Sequence, residues 1–196
     1  HNELIRSTFD TIKKRPISMQ TATNSDDRDK LALEAAKQLK DPNGPRVAVF
    51  ELDGFDTHAA QGGVDGAHAD ELEEVNNIVK ILYKNLSTSF DNTLIVTLTE
   101  FGRTIKQNGA NGTEHGYGSV ILMAGGLLKK SQVYTDWPGL KKKNLFEGRD
   151  LDSTIDSRAV YNSAMSVCFN KDPDFLRREV FWGDNLPDLS QELFKV

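Results

Sequence analysis

The chain has 196 residues, 38% hydrophobic and 27% charged, with a formal net charge of −5. That length supports one substantial core, and the composition argues against wholesale disorder. The acidic balance gives no electrostatic footprint for nucleic acid, and the only basic cluster, Lys141, Lys142 and Lys143, lacks interleaved aromatics and reads as a solvated loop.

The single cysteine, Cys168, excludes an internal disulfide and leaves the compartment open. No stretch approaches the ~20 apolar residues a membrane helix needs, so no membrane span is expected. The opening HNELIRSTFDTIKKRP has no apolar segment of the signal-peptide kind, and a start at His1 points to a processed or truncated chain. The expected organisation is a single α/β domain over 1–196, with a helical lead-in (1–45), a core (46–170) and a tail (171–196).

In chain order, Leu4, Ile5, Phe9 and Ile12 recur at helical spacing ahead of Pro16, and Ser18 to Asp26 reads as a polar loop. DRDKLALEAAKQLK, residues 27–40, is rich in helix formers, with Leu31, Ala35 and Leu39 on one face and DPNGP ending it. RVAVFEL, residues 46–52, is a short apolar run bounded by Gly44-Pro45 and Gly54, the pattern of a buried strand. A second helix is expected at about 67–86, with Leu72, Val75, Val79 and Leu82 as its stripe. TLIVTLT (93–99) and GSVILMAGG (118–126) read as two further strands. Strand, helix, strand over 46–99 implies a βαβ unit with a right-handed crossover. After an irregular stretch through WPGL to Asp152, a helix at about 157–170 closes the regular part. The tail, with Phe175, Phe181 and Trp182, is expected to pack back on the body. The fold class is therefore α/β with a mixed, mostly parallel sheet.

Polar residues concentrate where sites form in such sheets, beyond the carboxyl ends of strands. ELDGFDTH (51–58) and TEFGRT (99–104) follow the first two strands, and GTEHG (112–116) ends a Gly/Asn-rich loop before the third. An antiparallel third strand, the expectation here, lays His115 beside the first two motifs. His58 and His115 then face one another with Asp53, Asp56, Glu100 and Glu114 nearby, the carboxylate-plus-imidazole set that binds zinc, manganese or iron. Arg103 is the candidate catalytic residue, a guanidinium suited to bidentate pairing with an oxyanion.

Plainer readings stand beside these. Asp53-Gly54 suits a turn, Asp56-Thr57 an Asx-turn or cap, either histidine a partner of loop carbonyls, and Glu100 to Arg103 a strand-end ion pair. His68 and His1 read as surface residues, Cys168 as core, and Asp156-Ser157-Arg158 as a helix start.

The ordered set GFDTH, TEFGRT, GTEHG and TIDSRAVY, spanning Val47 to Tyr161, resembles the bacterial family called domain of unknown function 1501 (DUF1501). That family is similar to the alkaline phosphatase and sulfatase superfamily. The resemblance implies a three-layer α/β/α core, a divalent metal held by Asp53, Asp56, His58, Glu100, Glu114 and His115, and hydrolysis of phosphate or sulfate esters, small or polymeric. It also implies a periplasmic or exported setting. Superfamily members usually carry Asp-His where this chain has Glu100-Phe101, and their Ser, Thr or modified Cys nucleophile lies in an earlier half that this chain is expected to lack. The same set of residues also suits a degenerate, non-catalytic binding or structural module.

Overall fold

The computed structural model describes residues 24–196. The helix expected over 1–14 and most of the polar loop at 18–26 lie outside them.

Helix α1 (Ser25–Lys40) starts where Asn24 caps it, the Asn24 Oδ1 accepting the Asp27 amide at 3.0 Å. Asp26 and Asp27 in its first turn and Lys37 and Lys40 in its last suit the helix dipole. Helix α2 (Ala67–Leu86) runs over the expected residues and leads into a 3-10 turn at Ser87–Asn92. The two helices pack through Ala32 and Ala36 of α1 and Ile78, Leu82 and Leu86 of α2. The inward faces are rotated from those expected. In α1 the buried line is Arg28, Ala32 and Ala36, because small alanines let α2 approach closely, and Leu31 and Leu39 flank it. In α2 the line is Ile78, Leu82 and Leu86, while Leu72 is exposed.

Strand β1 (Ile95–Val96) pairs antiparallel with β4 (Met123–Ala124), Ile95 opposite Ala124 and Val96 opposite Met123. The antiparallel direction expected for residues 118–124 is observed. Both strands are far shorter than the seven- and nine-residue runs suggest. Beyond Val96 the Thr97 amide still bonds the Leu122 carbonyl at 3.0 Å, but the Leu122 amide goes to the Thr97 hydroxyl at 2.9 Å. A side chain thus replaces the backbone acceptor that would extend the ladder. At the other end Gly125 (φ +138) bends the chain, and a Cβ there would lie 2.9 Å from the Thr93 carbonyl carbon.

Residues 46–52 form no ladder and no backbone hydrogen bond among the described residues. Phe50 and Leu52 pack against the α1–α2 core, while Val47 and Val49 face outward. The expected buried strand is therefore an extended segment covered on one side, and no parallel ladder occurs among the described residues.

A second core forms around helix α3 (Ser157–Phe169), whose N-cap Asp156 accepts the Arg158 amide and whose C-cap Asn170 is left-handed (φ 49°, ψ 54°). Ala159, Val160 and Ala164 meet Leu186, Leu189, Leu193 and Phe194 of the tail, which holds helices α4 (Pro173–Glu179) and α5 (Ser190–Leu193). The Lys129 amide bonds the Leu193 carbonyl and the Lys195 amide the Leu127 carbonyl, each at 2.9 Å, so the tail is stitched to the body. Its packing residues differ from the expected aromatics: Phe181 lies at the core margin, Phe175 is exposed and Trp182 is 86% exposed. Cys168 is also exposed, on the outer side of α3, and not in the core. Leu94 packs toward this second core and its neighbour Ile95 toward the first, as the alternation of a strand requires. The β1–β4 ribbon therefore packs against both cores.

Candidate metal centre

Two chain segments build the site. The first is the loop after residue 52, turned by Gly54 (φ +98), which only glycine adopts readily. The second is a hairpin in which β2 (Gly102–Arg103) pairs antiparallel with β3 (His115–Gly116), Arg103 opposite His115. The Gly/Asn-rich stretch between them is thus an ordered hairpin connection. Asn108 organises it: its Oδ1 accepts the amides of Ala110 and Gly112 at 2.9 and 3.0 Å. Its Nδ2 donates to the His58 carbonyl at 2.8 Å and to Glu114 Oε1 at 2.5 Å.

The segments are joined backbone to backbone. The Thr113 amide bonds the Thr57 carbonyl at 3.1 Å, Ala60 bonds Ala110, and Gln61 bonds Asn111. Gly112 makes the approach possible, because a Cβ there would sit 2.5 Å from the Ala59 nitrogen and closer still to the His58 carbonyl. Beneath the contact, the buried hydroxyls of Thr57 and Thr113 both donate to Gln61 Oε1, at 2.9 and 2.7 Å.

On this frame Asp56, His58 and His115 converge. The two Nε2 atoms are 3.1 Å apart, and each lies 3.1 Å from Asp56 Oδ1, a nearly equilateral triangle of donor atoms. All three residues are exposed, so one side of the triangle opens to solvent. Glu114 stands behind it, its Oε2 2.9 Å from His58 Nδ1. Hydrogen bonds from Asn108 and His58 hold the Glu114 carboxyl below its ordinary range, so it accepts and His58 Nδ1 donates. This assignment leaves the His58 Nε2 lone pair facing the triangle. Phe101 stacks on the His115 ring at 3.8 Å and fixes its plane.

Arg103 uses all three of its nitrogens. Its Nε donates to the Thr113 hydroxyl at 3.0 Å, one terminal nitrogen to the Thr113 carbonyl and the other to Asp56 Oδ1. Partial desolvation raises the Asp56 pKa. The hydrogen bonds from Arg103 and His115 outweigh it, and the carboxyl is held below its usual range.

Of the expected ligands, Asp56, His58 and His115 meet and Glu114 touches one of them. Asp53 and Glu100 are exposed and outside the triangle; the Asp53 carbonyl, not its carboxylate, is used, accepting from Arg28 at 3.1 Å. Arg103 pairs with Asp56 and not with Glu100. The Asp56 side chain serves this cluster and makes no Asx-turn bond. His68 is half-buried, edge-on to Phe55 at 5.8 Å, and not a surface residue. Asn108, Gln61 and Thr113 escaped the sequence reading; only the Asn-Gly-rich run around Asn108 carried a turn signal.

The donor set fits a small divalent ion. Bonds of ~2.0 Å at tetrahedral angles put neighbouring ligand atoms about 3.3 Å apart, close to the 3.1 Å edges found. A carboxylate behind a ligating imidazole is the usual outer-shell arrangement.

No curated protein and no solved structure matches this chain. A family model described as "Protein of unknown function (DUF1501)" matches residues 18–177, which take in the loop, the hairpin and α3, and the chain belongs to that family.

Proposed function

We propose that Asp56, His58 and His115 hold a divalent metal, zinc or manganese, and that the chain serves metal-dependent hydrolysis of phosphate or sulfate esters, small or polymeric. The observation that carries this reading is the 3.1 Å triangle of two imidazole nitrogens and a carboxylate oxygen, open on one side. A bound metal would supply Lewis-acid polarisation of an ester oxygen. Glu114 keeps the His58 Nδ1 protonated and its Nε2 available, and Phe101 keeps His115 from rotating away. Arg103 contributes fixed positive charge beside Asp56, where an anionic ester would approach. Thr57 and Thr113 are buried and spend their hydroxyls on Gln61, so neither acts as nucleophile. An alkaline-phosphatase- or sulfatase-like three-layer fold and an exported setting go with this reading.

A second reading is a non-catalytic binding or structural module with the same frame. It is favoured by the isolation of Glu100 from the cluster and by Phe101, an aromatic ring where a second imidazole ligand would stand.

Elemental mass spectrometry of the protein after incubation with zinc or manganese, beside His58→Ala/His115→Ala, tests the first reading. One equivalent of metal in the wild type and none in the variant supports it. A metal-free wild type rejects it. Aryl phosphate and aryl sulfate hydrolysis by the loaded protein then separates enzyme from module.

A further inference from the structure

Where the site loop leaves the helices, an ion pair between a buried guanidinium and a half-buried carboxylate joins them. Arg28 of α1 is 8% exposed, and its Nη1 lies 2.7 Å from Glu71 Oε2 in the first part of α2. The other terminal nitrogen reaches out of the helix pair and donates to the Asp53 carbonyl at 3.1 Å. The Glu71 carboxylate is seated directly against Gly54, where a Cβ would lie 2.5 Å from the Glu71 Cδ. One residue on, the Phe55 ring is held edge-on by His68, one turn before Glu71. Three consecutive residues of the loop, 53 to 55, are thus gripped by side chains from the helices, immediately ahead of Asp56.

Stability of the helix pair does not account for this arrangement. Ala32, Ala36, Ile78, Leu82 and Leu86 supply the apolar contact. The polar layer adds desolvated atoms without partners, Arg28 Nε and His68 Nδ1. A buried ion pair is commonly neutral or costly relative to apolar side chains of the same volume. What apolar side chains could not do is hold the Asp53 carbonyl.

We propose that Arg28 and Glu71 are positioning residues for the Asp56–His58–His115 centre, a strut that sets where the loop leaves the helices and so where Asp56 and His58 stand. The inference rests on reading that triangle as the functional centre. The strut acts through backbone, from the Asp53 carbonyl to the Asp56 carboxylate, and touches none of the three donors.

The test uses Arg28→Met/Glu71→Leu, which keeps volume and removes the charges, together with Arg28→Lys. The primary readout needs no metal: the histidine tautomers of the metal-free protein by nitrogen-15 NMR at fixed pH. The wild type should show His58 protonated at Nδ1, as its contact with Glu114 requires. The double variant should keep its helical content and thermal midpoint while the His58 signal averages between tautomers, and Arg28→Lys should fall between. Zinc affinity, by competition titration, should drop about tenfold in the double variant. An unaltered His58 signal in the folded double variant overturns the proposal. If the double variant does not fold, Glu71→Gln, which keeps the shape of Glu71, decides by the same signal in either direction. A wild type that binds no zinc would sink the metal reading alone, since the tautomer comparison still decides whether the strut positions the loop.

Discussion

Replacing Gly112 with alanine tests whether the site depends on close approach of its two segments. Gly112 does not have the positive φ that only glycine tolerates well, so the cost is steric. The new Cβ would lie 2.5 Å from the Ala59 nitrogen, while ordinary contacts begin near 3.4 Å. The atoms it meets are backbone, which no rotamer change can clear, so the segments must part by about 1 Å. Three backbone hydrogen bonds cross this seam, Thr113 to Thr57 at 3.1 Å and Ala60 to Ala110 and Gln61 to Asn111 at 2.9 Å. Parting by that amount carries all three past hydrogen-bonding distance. At about 1 kcal/mol each the loss is about 3 kcal/mol. With a urea slope of ~2 kcal/mol/M, the unfolding midpoint should fall by about 1.5 M. Because the same seam brings His58 to His115 and Glu114, zinc affinity should fall with it. Urea titration by circular dichroism and zinc competition measure the two effects. A Gly112→Ala protein with both its midpoint and its zinc affinity unchanged would refute the claim that this approach builds the site.

Glu114→Gln keeps the shape of the side chain but removes the carboxylate behind His58 Nδ1, and zinc affinity should fall at least tenfold with little change in unfolding midpoint; equal affinity would reduce Glu114 to a surface acid. Phe194, 1% exposed at the centre of the second core, should cost about 3–5 kcal/mol on truncation to alanine, read by denaturant unfolding. Asp56 and Glu114 have folded pKa values below their unfolded ones, so each stabilises above pH about 4 and loses that contribution as the pH falls through the folded value. NMR of the site histidines from pH 6 down to 2 should show the loop and hairpin separating in acid, and the Asp56→Asn/Glu114→Gln protein should lose that acid transition.

Much of the frame was legible in the sequence because it rests on local signals. The helix start at Asp156, the helices over 27–40 and 67–86 and the glycine turn after Asp53 each follow from a few neighbouring residues. The meeting of His58 and His115 followed from one topological expectation, an antiparallel run at 118–124 that returns the chain to the edge it had left. What did not show was set by contacts distant in sequence. Apolar periodicity pointed to Leu31 and Leu72, but alanine at 32 and 36 admits a closer helix approach than leucine, and that rotates both faces. The roles of Asn108, Gln61 and Arg28 depend on reaching partners in other segments, and an amide or guanidinium in a polar stretch carries no mark of that. Glu114 was recognisable as part of the site, but whether a carboxylate stands among the donors or behind one of them depends on distances no spacing rule supplies.

The extended run 46–52 has a consequence for handling. Its backbone donors and acceptors are unpaired among the described residues, and Val49 is 90% exposed on its outer side. Such a segment is an open template for a further strand, and an intermolecular one serves as well as any other. Arg46 and Glu51 flank it with opposite charges that discourage stacking in register. As protein concentration rises, copies of the chain are expected to pair along this segment. Lys in place of Val49 should raise the concentration at which the protein stays dispersed, without touching the Asp56–His58–His115 cluster.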